Sequence, residues 1–205
     1  MHAKEILILG QGSAAVAVDA AKPFAIPGHL FEQAYGRKDI QPILDVVDVM
    51  REAVTVWKGM THLILNISKY EVGQFPEPKL EYLCTDIGEW GGRESLIDPR
   101  IFDETIEKTK NSLLSAGERV MDLLNEMHTL IIMGVTTTSC VQSTINEIHA
   151  LAHQVSFAMP KIILPKDAVA SRVSRQEDEA EFFRKWSEDR ERIIVVDSWR
   201  DIEFV

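Results

Sequence analysis

The run Ile131-Ile-Met-Gly-Val-Thr-Thr-Thr-Ser-Cys140-Val-Gln-Ser-Thr-Ile-Asn-Glu-Ile-His149 carries a thiol at a position where thiols react. An apolar stretch ends in Gly134-Val135, four small polar residues follow, and Cys140 opens a helical pattern with Val141, Ile145 and Ile148 on one face. The pattern predicts a buried strand over 130–133, a tight turn over 136–139 and a helix whose first residue is Cys140. A thiol at a helix N-terminus meets unsatisfied backbone N–H groups and the positive end of the dipole. Both lower its pKa and make the thiolate available. The competing reading is packing, because free cysteine is among the most often buried residue types.

Other chemically suggestive residues carry less. Gly10-Gln-Gly-Ser13 follows an apolar run but lacks the third glycine and the Lys-Ser/Thr pair of a phosphate loop. His149 and His153 are spaced as an i, i+4 zinc pair, yet no acidic third ligand is spaced nearby, which favours a solvated or satisfied helix face. Cys84 lies in a long loop and reads either as a substrate contact or as packing. Asp39, Asp45 and Asp48 read as caps or surface charges.

Gly134-Val-Thr-Thr-Thr-Ser-Cys140-Val resembles the nucleophile motif of the isochorismatase-like cysteine hydrolases. In that family a catalytic Asp at the end of the first strand, a Lys and the Cys follow in that chain order. Ala15-Val-Ala-Val-Asp19-Ala-Ala-Lys-Pro-Phe24 is similar to the opening strand, with Asp19 in the acid position and an aromatic five residues on. Lys108-Thr-Lys-Asn-Ser112-Leu-Leu-Ser is similar to the lysine segment, and it precedes Cys140 by about the length of one helix and one strand. Asp167-Ala-Val-Ala-Ser171 resembles the ending of the next strand. The resemblance covers roughly residues 14 to 197.

Several departures accompany it. Ala21 stands where the family usually has Gln, and Leu114 replaces an aromatic. The stretch from Cys140 to Asp167 is longer than usual. The acidic and histidine metal ligands of nicotinamidases have no counterpart in Asn66-Ile-Ser-Lys-Tyr-Glu-Val72, so no metal or other cofactor is expected. Lys4-Glu-Ile-Leu-Ile-Leu-Gly10 competes as first strand, which would put Leu9 in the acid position and disable the enzyme; only the Asp19 register supplies both the acid and Phe24. Lys110 is the alternative to Lys108.

The resemblance implies hydrolysis of a small amide or carbamoyl C–N bond through a Cys140 thioester. Asp19 would act as base and then acid, Lys108 would stabilise both acids, and backbone N–H groups of Thr136 and Cys140 would hold the oxyanion. A non-proline cis peptide would join Val135 to Thr136. The other reading is a catalytically impaired relative serving as an oligomeric interaction module. Phe24, Asn66 and Trp90 are candidate substrate-lining residues, and Trp90, Phe75 and Tyr70 together offer a flat apolar wall. Specificity itself is not legible in the loop over 68–104.

The elements that must position these residues alternate between strand and helix patterns. That alternation predicts a single α/β domain, 1–205, with a mainly parallel sheet covered by helices on both faces and an extra N-terminal strand within 1–13. Strands are expected over 5–9, 14–19, 62–67, 129–134, 161–165 and 192–197. Helices are expected from an Asp39 cap through Val54, over 113–127, from Cys140 to about Met159 before Pro160, and over 177–190. Asp19, Asn66 and Thr136 to Cys140 then all fall at carboxyl ends of strands, where open α/β sheets collect ligands. The loop over 68–104 is too long for a plain connector.

A net charge of −10 argues against a nucleic-acid partner. No apolar run approaches the ~20 residues that span a bilayer. Residues Glu5, Gly10, Gln11 and Gly12 interrupt any signal-peptide pattern. Two cysteines make no disulfide framework, and a working thiolate suits a reducing cytoplasm. The Phe182, Phe183 and Trp186 stripe and the ending Ile202-Glu-Phe204-Val205 are buried or partner-facing; with the family habit they suggest a homo-oligomer.

Overall fold

A computed structural model describes residues 6–87, 94–152, 154, 158–188 and 192–205. In chain order these form β1 (Leu7–Leu9), β2 (Ser13–Val18), α1 (Lys22–Ala25), α2 (Leu30–Tyr35), α3 (Arg37–Trp57), β3 (His62–Ser68) and β4 (Glu104–Lys108). Then come α4 (Glu118–Glu126), β5 (Thr129–Val135), α5 (Gln142–Leu151), β6 (Lys161–Pro165), β7 (Val169–Ala170), α6 (Gln176–Glu188), β8 (Ile193–Val196) and β9 (Ile202–Phe204).

Every residue of β2 and all but the first of β5 are buried, as expected of central strands in a parallel sheet with both faces covered. The strand order is β4-β3-β2-β5-β6-β8, with β7 paired to β5, and all these pairings are parallel. Alternation along β2 divides the core in two. Ala15 and Ala17 face α3 and its Ile40, Ile43, Val47, Met50 and Val54, whereas Ala14, Val16 and Val18 face the α4, α5 and α6 side. On α4 the buried residues Val120, Leu123 and Leu124 recur at helical spacing.

Several expectations change in the structure. The N-terminal strand does exist, but β1 pairs only with β9, outside the main sheet. That annex docks through Trp199 and Phe204, whose rings each lie 5.7 Å from Trp57. Leu9 is therefore far from the register of the first central strand, which is β2. Phe182 and Trp186 are buried core residues and Phe204 packs within the chain, so the oligomer expectation loses the stripe as a partner face. The helix after Cys140 ends at Leu151 rather than near Met159. Asp39 is no cap: α3 starts at Arg37 with Gly36 in the cap position, and the Asp39 carboxylate accepts from the amide and hydroxyl of Ser174, tying α3 to the chain after β7. Among the described residues no helix is long and apolar enough to cross a membrane.

The largest gap in the sequence reading is β4. Glu104-Thr-Ile-Glu-Lys108 looks like polar loop, yet it pairs in parallel with β3 at the edge of the sheet. Edge strands need little apolar content and commonly carry charge. The faint signal is the alternation: Ile106 and Lys108 point inward while Thr105 and Glu107 are exposed.

Candidate active site

The carboxyl ends of β2, β3, β4 and β5 lie side by side, with Val18 in register with both Asn66 and Gly134, and Ser68 in register with Lys108. One residue beyond β2, Asp19 takes a positive φ of 53°, a region an aspartate tolerates better than most residues. Its amide donates to the Asn66 carbonyl at 2.9 Å, which fixes the step off the strand. Gly134 lets β5 approach β2 at this level: a Cβ there would sit 2.2 Å from the Val18 carbonyl oxygen.

Cys140 does not open an α-helix. It lies inside a single π-helical turn, Thr137–Val141, that leads into α5. Such turns recur at functional sites because they re-aim one side chain. The Thr136 carbonyl accepts the amides of Ser139 and Val141, and Ser171 accepts the amide of Thr138 at 2.9 Å. The peptide between Val135 and Thr136 is cis.

Asp19 and Lys108 are both fully buried, and the carboxylate Oδ2 lies 2.8 Å from Lys108 Nζ. The ammonium donates to Ser68 Oγ at 2.7 Å, to the Tyr70 hydroxyl at 3.2 Å and to the Lys110 carbonyl at 3.3 Å. Ser68 in turn donates to Asp19 Oδ1 at 2.6 Å. Lys108 thus spends its three hydrogens on these neighbours. Asp19 Oδ2 is held by charge and takes no aligned hydrogen bond from a described residue. Lys110 contributes only its backbone carbonyl, so Lys108 supplies the buried cation.

Cys140 Sγ lies 3.5 Å from the Tyr70 hydroxyl. Burial pushes the Cys140 thiol up to about 11, the neighbouring Asp19 charge adds to the rise, and the Lys108 charge and the Tyr70 hydrogen bond oppose it. This corrects the expectation of a depressed pKa. Desolvation of an almost wholly covered sulfur outweighs the helix terminus, so the resting group is a neutral thiol. For Lys108, burial pulls the pKa down, but the Asp19 carboxylate and, where it ionises, the Cys140 sulfur hold it above the usual lysine value. Tyr70 is raised well above its ordinary value by burial and by the charges of Cys140 and Asp19.

Beside the sulfur lies a cavity of about 320 Å³ lined by Phe24, Tyr35, Tyr70 and Phe75 among others, with Asn111, Ser139 and Arg172 as polar members. That volume suits a small organic molecule. Arg172 stacks 3.6 Å from the centre of the Tyr35 ring and lies 3.4 Å from Asp39.

Of the predicted lining residues, Phe24 faces the cavity. Asn66 does not: it is fully buried away from the cavity wall and donates to the Ile106 carbonyl, bracing β3 against β4. Trp90 and His153 lie outside the described residues. Cys84 is buried in the α3-side core rather than on the cavity wall. Sequence reasoning passed over Ser68 and Asn111 and treated Tyr70 only as wall. The available signal was Ser68-Lys-Tyr70, whose i, i+2 spacing at a strand end puts both hydroxyls on one side.

No family model matches the chain, and no curated protein matches it in sequence. Solved structures do match. The pyrazinamidase of Pyrococcus horikoshii in complex with zinc is 21% identical with a TM-score of 0.67, covering 90% of this chain and 98% of the other. An isochorismatase-like hydrolase from Alkaliphilus metalliredigens is 20% identical with a TM-score of 0.63, covering 92% of each chain. The N-carbamoylsarcosine amidase from Thermoplasma acidophilum is 17% identical with a TM-score of 0.58, covering 91% of this chain and 96% of that one. The fold of this chain is that of the isochorismatase-like hydrolases. A zinc ion does not suit the residues present: Ser68-Lys-Tyr-Glu71 offers no histidine, and no three His, Cys, Asp or Glu side chains gather among the described residues.

Proposed function

We propose that this protein is an isochorismatase-like cysteine hydrolase that cleaves the C–N bond of a small amide or carbamoyl substrate through a Cys140 thioester. The observation that carries the reading is the convergence of a buried acid, a buried cation and a thiol at the strand ends, beside a cavity of about 320 Å³. A complete acid, cation and thiol set favours activity over the interaction-module alternative.

With its thiol held neutral up to about 11, Cys140 needs a base at the moment of attack. Asp19 Oδ2, close to Lys108 but without an aligned hydrogen bond, has a lone pair to accept the S–H proton. The sulfur attacks the carbonyl carbon, and the oxyanion develops against the backbone N–H groups of Thr136 and Cys140. Such preorganised donors contribute about 3 kcal/mol each. Asp19 then returns the proton to the leaving nitrogen as the C–N bond breaks, leaving the thioester. Water attacks the thioester as Asp19 takes its proton, the C–S bond breaks to release the acid, and Asp19 passes that proton to the departing sulfur, restoring the thiol and its own carboxylate. Lys108 keeps a positive charge beside both anions throughout.

Ammonia release from a panel of small primary amides and N-carbamoyl compounds tests the reading. Cys140→Ser is expected to lower turnover by about a thousandfold or more, and a rapidly quenched wild-type reaction should show an acyl adduct on Cys140 by mass spectrometry. Turnover unaffected by Cys140→Ser, or a panel that yields neither ammonia nor adduct, rejects it.

A further inference from the structure

Tyr70 is placed for more than lining a wall. Its ring packs edge-on against Phe75 with centroids 5.0 Å apart, and only 4% of the residue is exposed. That packing fixes where the hydroxyl points. The oxygen accepts from Lys108 Nζ at 3.2 Å, its hydrogen is directed at Asn111 Oδ1 at 3.3 Å, and Cys140 Sγ stands 3.5 Å away. Asn111 is itself held, donating to Ser139 Oγ in the turn of Cys140 at 3.1 Å. One hydroxyl hydrogen therefore has two acceptors within reach, an amide oxygen and a sulfur.

We propose that Tyr70 is a further catalytic residue of this site, the O–H donor that swings from Asn111 Oδ1 to Cys140 Sγ whenever the sulfur carries negative charge. The inference rests on reading Cys140 as the nucleophile. No proton leaves Tyr70: the thiol proton goes to Asp19, and the phenolic O–H only changes acceptor. As the C–S bond of the thioester forms, the sulfur loses its charge and the hydrogen returns to Asn111; when the thiolate is expelled again, it swings back. Hydrogen bonds to charged acceptors are markedly stronger than those to neutral ones, so the donor favours the charged state over the resting one. The elevated pKa of Tyr70 suits the task, since a phenol that stays protonated remains a donor at every working pH. The titratable groups facing Sγ are Asp19 beyond β2, Lys108 on β4 and Tyr70 itself. Glu77, Arg172 and Arg175 line the same cavity.

The test needs no substrate. Iodoacetamide labelling of Cys140, followed by peptide mass spectrometry between pH 7 and 9.5, reads the supply of thiolate. Tyr70→Phe removes one oxygen and keeps the ring, so reagent access can only widen; slower labelling then reports the thiolate. The expected result is Cys140 labelling slowed roughly tenfold at each pH, with Cys84 labelling unchanged. Equal or faster Cys140 labelling overturns the proposal. Asn111→Leu keeps the volume but removes the competing acceptor, and should speed Cys140 labelling. An equal or slower rate in that variant also overturns it, and this arm stands even where Tyr70→Phe does not fold. Slowed labelling without any amide hydrolysis would leave the role of Tyr70 intact and reject the proposed function. Hydrolysis with unchanged labelling would do the reverse.

Discussion

On the outer face of α6, Arg184 lies 2.6 Å from Glu181 and 2.8 Å from Glu188, with all three side chains more than half exposed. Under the turn of Cys140, Lys108 lies 2.8 Å from Asp19, and both side chains have no exposure at all. The distances match and the physics does not. On α6, water and salt screen the charges, and ordering three long side chains offsets most of the attraction. Under Cys140 the charges have been taken out of water, so each is tolerable only because the other is present. Contact length does not rank ion pairs; solvent access does. A buried pair gives little net stability and a heavy penalty when split. Its value in this molecule is a fixed positive charge beside the sulfur.

The comparison can be broken most easily at Asp19. Asp19→Ala leaves the Lys108 ammonium buried without its partner, and should lower unfolding free energy by about 3–5 kcal/mol in urea denaturation. The double variant Asp19→Ala/Lys108→Met, which buries no charge, should recover much of that loss. A single-variant loss below about 1 kcal/mol would mean that water reaches Lys108 and that the two regions differ less than their burial indicates.

A smaller effect comes from the thiol. In the fold the Cys140 pKa is raised from 9.0 to about 11, so the folded state favours the neutral form. That contribution is complete below the unfolded pKa and is lost as pH rises through the folded one. Between pH 9 and 11 wild-type stability should fall by about 2 kcal/mol more than that of Cys140→Ser. Lys108 and Tyr70, also raised, act in the same direction; Cys140 is among the groups that raise them, so only the part owed to their other surroundings cancels in the difference. Parallel pH profiles for the two proteins would contradict the assigned burial.

The least effect belongs to α6. Arg184→Ala should leave the denaturation midpoint unchanged within error, and 1 M salt should not alter that result. A clear shift would show that the exposed pairs form a cooperative network, and would narrow the contrast on which the comparison stands.

The residues that belong to runs of apolar periodicity were legible in the sequence. Leu130 to Gly134 reads as a strand because it is apolar on both faces, and the packing of β5 inside the sheet is the same fact seen in space. The small polar turn with a cysteine reads as a strand-to-helix junction, and Thr136 to Cys140 sits at one. Local order also determined that Asp19 follows a buried strand and that strands and helices alternate into a parallel sheet.

Tertiary structure decided what depends on neighbours far along the chain. The strand over 104–108 exists because β3 offers it a free edge, not because Glu104-Thr-Ile-Glu-Lys108 favours extended backbone. Tyr70 meets the sulfur across 70 positions of sequence, and Asn66 ended up bonded to Ile106 rather than lining the cavity, since neither outcome has a local signal. The thiol is the sharpest case. Sequence placed Cys140 near a helix start, where a dipole lowers a pKa by acting over a few ångströms. Burial removed the water that a thiolate needs, and desolvation is a property of everything packed around an atom, so only the folded chain could set its sign.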